Sequence, residues 1–284
     1  MLDQITPLIL TYNEAANIGR TLEQLRWANR IVVVDSFSND ETLDIVSGFS
    51  QVTLFQRHFD SHQAQWNFAL QETGITSEWV LALDADYILT EEGIAELASL
   101  VPATTVQGYS AKFVYCINGR RLKSGVYPAV TVLYRRAPGS YVQDGHTQRL
   151  VLKGRIETLA TPLLHDDRKP LRQWLQAQVR YTELEARKLL TTNPQSLTWR
   201  VRIRRWYLVA PTAMLFYCLV IRGGMLEGWP GFYYAFQRSL AELMLSLRLL
   251  DSKLSGATKS EAQRANDNGQ RREPSKLSIA IDKE

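Results

Sequence analysis

Cysteine is almost missing from this 284-residue chain, with Cys116 and Cys218 about a hundred residues apart. That spacing offers neither a disulfide framework nor a thiolate metal site, and it fits a reducing compartment. A basic n-region is missing too: Asp3 opens the chain into a strand-like run, so no signal peptide is expected. The apolar run Tyr207–Ile221 is about fifteen residues long and contains Pro211, short of the roughly twenty that a spanning helix needs. Charge of one sign is not in large excess, since 33 Lys and Arg against 29 Asp and Glu leave +4. No nucleic-acid partner is expected, and no internal repeat is evident. What is present is ordinary globular material, 45% hydrophobic and 22% charged, enough for one large domain or one domain plus an appendage.

The most informative stretch is Trp79–Thr90, where an apolar run of strand length stops at Asp84-Ala85-Asp86. In open α/β sheets ligands bind at the carboxyl ends of strands. Alternation along an extended chain sends Asp84 and Asp86 to the same side, where two like charges call for a cation. A hard divalent ion shared with substrate phosphates is the usual answer. A strand-end turn with solvated acids is the competing reading.

Strand and helix alternate before that point. Ile5–Leu10 is an apolar run, and Glu14–Arg26 has helical spacing through Ile18, Leu22 and Leu25. Ile31–Val34 is continuous and β-branched, the mark of a strand covered on both faces. Ser38-Asn-Asp-Glu41 has the form of a capping box opening a helix to about Phe49. Val52–Phe55, Gln63–Gln71 and Trp79–Leu83 complete a βαβαβαβ order, which predicts a mostly parallel sheet that binds nucleotide. From Gly108 to about Leu164 the segments are β-rich and turn-broken. Helices are expected from Pro170 to about Leu190 and from Trp229 to about Leu250, and the polar residues 252–284 are read as a disordered tail.

Four short features in order carry a family resemblance: Thr11-Tyr12-Asn13-Glu14, Asp35-Ser36, Gln65-Trp66-Asn67-Phe68-Ala69-Leu70 and Asp84-Ala85-Asp86. The chain resembles the family 2 glycosyltransferases of GT-A fold over roughly residues 5–250, and within them the bacterial lipopolysaccharide core-biosynthesis enzymes. Gly125–Pro128, Leu133–Arg136, His165, Arg180-Tyr181 and Gly228–Gly231 add to the closer likeness. The resemblance implies a catalytic domain over 1–168, with nucleotide and acceptor halves meeting near 100, and a helical, membrane-associating region over 169–251.

Carried over residue by residue, Thr11, Tyr12 and Glu14 line the nucleotide pocket and Asp35 bonds base or ribose. Asp84 and Asp86 hold Mg²⁺ or Mn²⁺ against the diphosphate, with His165 completing the site; a structural histidine in a turn is the alternative. Asp166 and Asp167 fit equally as N-caps for the next helix. The base that takes the acceptor proton is Asp144, with His146 second, against the reading of Asp144-Gly145 as a hairpin turn. Relatives have His-Glu where this chain has His146-Thr147, and a basic residue where it has Trp66. Arg57, Arg135 and Arg136 are the candidates to replace that charge at the diphosphate, Arg135 foremost.

Arg200, Arg202, Arg204 and Arg205 lie between Trp199 and Trp206, just before the short apolar run. That pattern suits an interfacial or re-entrant segment on an anionic membrane surface. Trp229, Tyr233, Phe236, Leu240, Leu243, Leu247 and Leu250 recur in steps of four and three. This seam either packs on the apolar run as a helical hairpin or pairs two copies in a homodimer. The resulting expectation is an inverting, metal-dependent enzyme on the cytoplasmic face of the inner membrane, peripheral or monotopic. It moves a sugar from a nucleoside diphosphate, UDP foremost, to a glycolipid such as lipopolysaccharide core. Transfer to polyprenyl phosphate and a catalytically dead nucleotide-binding scaffold are the alternatives.

Overall fold

In the computed structural model of the protein, residues 1–137, 139–144, 147–193, 199–207 and 209–270 are described, with backbone alone at 143, 144, 147, 199, 200 and 257–270. The first 84 residues form β1 (Ile5–Thr11), α1 (Ile18–Glu23), β2 (Ile31–Asp35), α2 (Thr42–Ser47), β3 (Val52–Gln56), α3 (His62–Gln71) and β4 (Trp79–Asp84). The middle holds β5 (Tyr87–Ile88), α4 (Glu91–Ser99), β6 (Val106–Ala111), β7 (Phe113–Ile117), β8 (Arg120–Arg121) and β9 (Val130–Arg135). It continues through β10 (Ser140–Asp144), β11 (Thr147–Val151), β12 (Arg155–Thr158) and β13 (Leu163–His165), ahead of α5 (Leu171–Thr191), α6 (Trp199–Ile203), α7 (Val209–Phe216) and α8 (Trp229–Gln270).

The main sheet has the order β12-β6-β9-β4-β1-β2-β3. β4, β1, β2 and β3 are parallel, while β9 enters antiparallel to both β4 and β6. The chain therefore leaves β1 toward β2 on one side and returns to β4 on the other. That reversal opens a crevice beyond the carboxyl ends of β1 and β4. β2 is buried at every position, as its unbroken β-branched run requires of a strand covered on both faces. Ile9, Ile31, Val33, Leu81 and Leu83 pack toward α1, while Leu8, Val32, Val34 and Val80 pack toward α3.

Several local expectations give way to tertiary contacts. α1 is a short core of the expected Glu14–Arg26 helix, because Glu14–Asn17 close a turn instead, with the Asn17 amide donating to the Glu14 carbonyl at 2.8 Å. Ser38 and Glu41 do not form a capping box: Ser38 turns to Asp35, and no side chain caps α2 at Glu41. Pro170 precedes α5 rather than starting it, with no side-chain cap, so Asp166 and Asp167 serve elsewhere.

The expected hairpin between apolar run and last helix is present, but not through the seam. α8 rests on its neighbours by Tyr234, Ala235, Leu245 and Leu249, and leaves Trp229, Tyr233, Phe236, Leu240 and Leu247 exposed. Polar partners choose that face. Ser239 donates to the Pro211 carbonyl at 2.9 Å and Ser246 to the Tyr207 carbonyl at 2.7 Å. Arg204 bonds Glu242 at 2.9 Å and Glu185 at 2.8 Å, so this arginine ties helices together instead of facing a membrane. Among the described residues no helix is long and apolar enough to cross a membrane. α8 runs on to Gln270, so 252–270 are helical rather than tail: Ala, Lys, Glu, Arg and Gln there are good helix formers and extend a helix already nucleated. Residues 271–284 lie outside the described residues.

Candidate active site

Two loops meet over the crevice. After β1, Asn13 takes a left-handed backbone (φ 55°), which asparagine tolerates, and turns Glu14 inward. The loop after β2 binds this turn: the Asn13 amide donates to Ser38 Oγ at 2.8 Å, the Glu14 amide to Thr42 Oγ1 at 2.8 Å and the Ala15 amide to Asp40 at 3.2 Å. Asp35 fastens both loops from beneath. It is fully buried and accepts from Thr11 Oγ1 at 3.0 Å and the Ser38 amide at 2.9 Å.

His165 comes to the crevice through a second sheet. β13 pairs antiparallel with β5, setting His165 opposite Tyr87, and parallel with β7, setting it opposite Tyr115. Its Nε2 lies 3.1 Å from Asp86 Oδ2. Tyr127, Tyr115 and Tyr87 surround the imidazole edge-on at 4.7, 4.8 and 5.3 Å between ring centres. Residues 79 positions apart thus meet because two short strands pair at the rim.

The electrostatics are those of crowded acids. Burial, then the charge of Asp86, pushes Asp84 up to about 6. Burial pushes Asp86 the same way, yet His165 beside it outweighs that and holds Asp86 below the usual carboxylate range. His165 is raised: burial disfavours its charge, and Asp86 more than offsets this. Glu14 is pushed up to about 7 by burial, against the pull of Lys169 and with a further push from Asp86. Lys169 Nζ bonds Glu14 Oε1 at 2.6 Å, and Glu14, Asp167 and Asp86 keep it charged despite burial. Glu14, Asp84, Asp86 and Asp167 thus face Lys169 and His165, four acids against two bases. Asp86 Oδ1 and His165 Nδ1 are buried without a hydrogen-bond partner among the described residues. An excess of carboxylate and an orphaned carboxylate oxygen fit a divalent cation. Still, no three His, Cys, Asp or Glu of the described residues already converge as a ligand set.

The residues expected at the site divide sharply. Thr11, Tyr12, Glu14, Asp84, Asp86 and His165 gather at the crevice, with Tyr12 45% exposed at its mouth. Asp35 lies just beneath with its carboxylate used internally. Arg135 does not reach the site. β9 runs against β4, so Arg135 pairs with Trp79 at the far end of the sheet, where it bonds the Val106 carbonyl at 2.9 Å and Glu78 and covers the Trp79 ring at 4.6 Å. Arg136 sits at that same end, its amide on the Glu78 carbonyl. Arg57, just beyond the carboxyl end of β3, is on the correct edge but bonds Asp60 at 2.8 Å. Trp66 is buried and stacks on Tyr141 at 5.2 Å, so its role is core packing. Asn67 next to it bonds both the carbonyl and the amide of Tyr141, pinning the β10–β11 hairpin to α3. That hairpin is the turn reading weighed for Asp144, whose backbone pairs with Thr147. The side chain of Asp144 and all of His146 lie outside the described residues.

Lys169 and Asn17 were missed. Lys169 ends the run His165-Asp-Asp-Arg-Lys169, a cation four residues beyond a suspected ligand, which is a signal that could have been used. Asn17 joins Glu14 to Asp167 by bonds of 2.8 and 2.9 Å, and nothing local marks it. Asp166 is held by Arg20 at 2.7 Å, Arg168 at 2.9 Å and the Gly119 amide at 2.9 Å, a role far from helix capping.

Comparison with known proteins adds to this geometry. The chain is 30% identical over 100 residues to the SPbeta prophage-derived glycosyltransferase SunS of Bacillus subtilis, a stretch that is 34% of this chain and 23% of SunS. An uncharacterized glycosyltransferase of Rickettsia felis is 30% identical over 92 residues, 32% of this chain and 31% of that protein. In both cases the match spans less than a third of the curated relative. Among solved structures, S. aureus TarS 1–349 in complex with UDP is 14% identical with a TM-score of 0.46, over 87% of this chain and 91% of that one. Residues 8–160, more than half of the chain and all of the crevice up to β12, match the model of Glycosyl transferase family 2, and the chain belongs to that family.

Proposed function

We propose that the protein transfers a sugar, with inversion, from a nucleoside diphosphate donor to a hydroxyl of a membrane-held glycolipid. UDP is the favoured nucleotide, lipopolysaccharide core the favoured acceptor and the cytoplasmic face of the inner membrane the place. One observation carries the reading: Asp84 ends β4 and Asp86 follows it at the sheet's reversal, with His165 on Asp86 and one Asp86 oxygen left without a partner among the described residues. Asp84, Asp86 and His165 would hold Mg²⁺ or Mn²⁺. A bound divalent cation supplies charge to the leaving diphosphate as the anomeric bond breaks. Lys169 adds a fixed positive charge near the same place, in a site whose acids would otherwise repel phosphate. Tyr12 offers a ring face to the base. Asp144, with His146 second, takes the proton of the attacking hydroxyl. Polyprenyl phosphate as acceptor would need no such base.

The test is donor hydrolysis and transfer by purified protein across a panel of nucleotide sugars, with Mn²⁺, Mg²⁺ or EDTA. EDTA should abolish turnover and added metal restore it. Asp86→Ala should remain folded, as read by circular dichroism, and be inactive. Full turnover in EDTA would refute the metal role, and no hydrolysis of any donor would favour the scaffold.

A further inference from the structure

A short turn projects from the helical region beside the site. It comprises a π-helical segment, Tyr217–Ile221, and a 3₁₀ turn, Gly224–Glu227, ahead of α8. Its apolar side chains point into solvent: Leu226 is 87% exposed, Trp229 83% and Ile221 63%. Large apolar groups this exposed and this close together mark an interaction surface. The turn is also built rather than loose. Gly223 (φ 75°) and Gly228 (φ 67°) bend the chain at its two ends. Glu227 accepts from the amides of Lys123 at 2.6 Å and Ser124 at 3.0 Å. Arg222 Nη2 donates to the carbonyls of Lys123 at 3.1 Å and Gly125 at 3.2 Å. These bonds frame a cleft of about 400 Å³ against β8, lined by Arg120, Arg121, Lys123 and Arg222. Four cations against Glu227 leave it strongly positive, directly beside the apolar tip.

Cations next to protruding tryptophan and aliphatic side chains complement one partner chemistry, a bilayer with anionic phosphate headgroups. We propose that this face docks the protein on such a bilayer, the basic cleft taking lipid phosphates and Ile221, Leu226 and Trp229 entering the interface. The placement suits the reaction. Tyr234 of α8 bonds the Val126 amide at 2.8 Å and lies 4.7 Å from the Tyr115 ring, itself 4.8 Å from His165. Tyr234, five residues beyond Trp229 on the same helix, is thus one aromatic ring away from the candidate metal ligand. The inference rests on the membrane-held acceptor reading and gives it a surface other than the arginines before Trp206.

The full-length protein should co-sediment with vesicles of phosphatidylglycerol and phosphatidylcholine, and weakly with phosphatidylcholine alone. Each charge removed should weaken binding about fivefold, so Arg120→Gln/Arg121→Gln/Lys123→Gln should bind on the order of a hundredfold less tightly. Leu226→Ser/Trp229→Ser should release the protein from both vesicles. Donor hydrolysis in solution should be unchanged in each variant, which separates docking from catalysis: vesicle binding without hydrolysis in the parent would sink the enzyme reading alone. Parent protein that ignores anionic vesicles, or a triple variant that binds them like the parent, overturns the proposal. A concentration-dependent dimer abolished by Leu226→Ser/Trp229→Ser, without vesicle binding, overturns it in favour of self-association.

Discussion

Lys169 sets a fixed positive charge among buried acids, and that charge acts on Asp84, Asp86 and Glu14 together. Lys169→Met should therefore lower donor turnover by about two orders of magnitude, the usual loss when one fixed charge is removed from a transition-state site. A lowered melting temperature with parent-like turnover per folded molecule would assign Lys169 to folding of the loop alone. Arg135 provides the opposite case. Its guanidinium closes the far end of β4 over Trp79, so Arg135→Ala should lower the melting temperature and leave turnover per folded molecule intact. Loss of turnover in a well-folded Arg135→Ala protein would mean that the sheet is read the wrong way round.

At the scale of elements, backbone contact decides where α8 begins. A Cβ on Gly231 would lie 1.9 Å from the Gly224 carbonyl oxygen, so the helix start and the 3₁₀ turn touch without any side chain between them. Gly231→Ala must push them apart, at a cost of about 1–3 kcal/mol, and should move the apolar tip as well. Thermal denaturation and vesicle binding should both register the change; a neutral result in both would show that the turn yields freely. The exposed seam has the same origin. Period alone placed Trp229, Tyr233 and Phe236 on one stripe, but Ser239, Glu242 and Ser246 found hydrogen-bond partners in Pro211 of α7, Arg204 and Tyr207, and the helix turned that side inward.

Across the whole molecule, Tyr234, Tyr115 and His165 form a chain of ring contacts from α8 to the crevice. Tyr234→Phe keeps the ring and removes bonds to the Val126 amide and carbonyl at 2.8 and 3.1 Å. Transfer to vesicle-held acceptor should fall several-fold while donor hydrolysis holds, because only the placement of the membrane face is disturbed. Equal losses in both assays would make Tyr234 part of the site's general scaffold.

Much was legible without coordinates because it is local. An unbroken β-branched run such as Ile31–Val34 has to be covered on both faces, and Asp84-Ala85-Asp86 has to sit where a strand ends. Those two facts, repeated through a βαβ order, suffice for a parallel sheet and a ligand crevice. Other features depend on distant partners. Which end of the sheet Arg135 faces follows from the direction of β9, and direction is a property of pairing, not of composition. Pairing of β13 with β5, which brings His165 to Asp86, leaves no trace in three residues of sequence. The face that α8 buries was settled by hydrogen bonds to Pro211, Tyr207 and Arg204, since a buried polar group without a partner costs more than an exposed leucine.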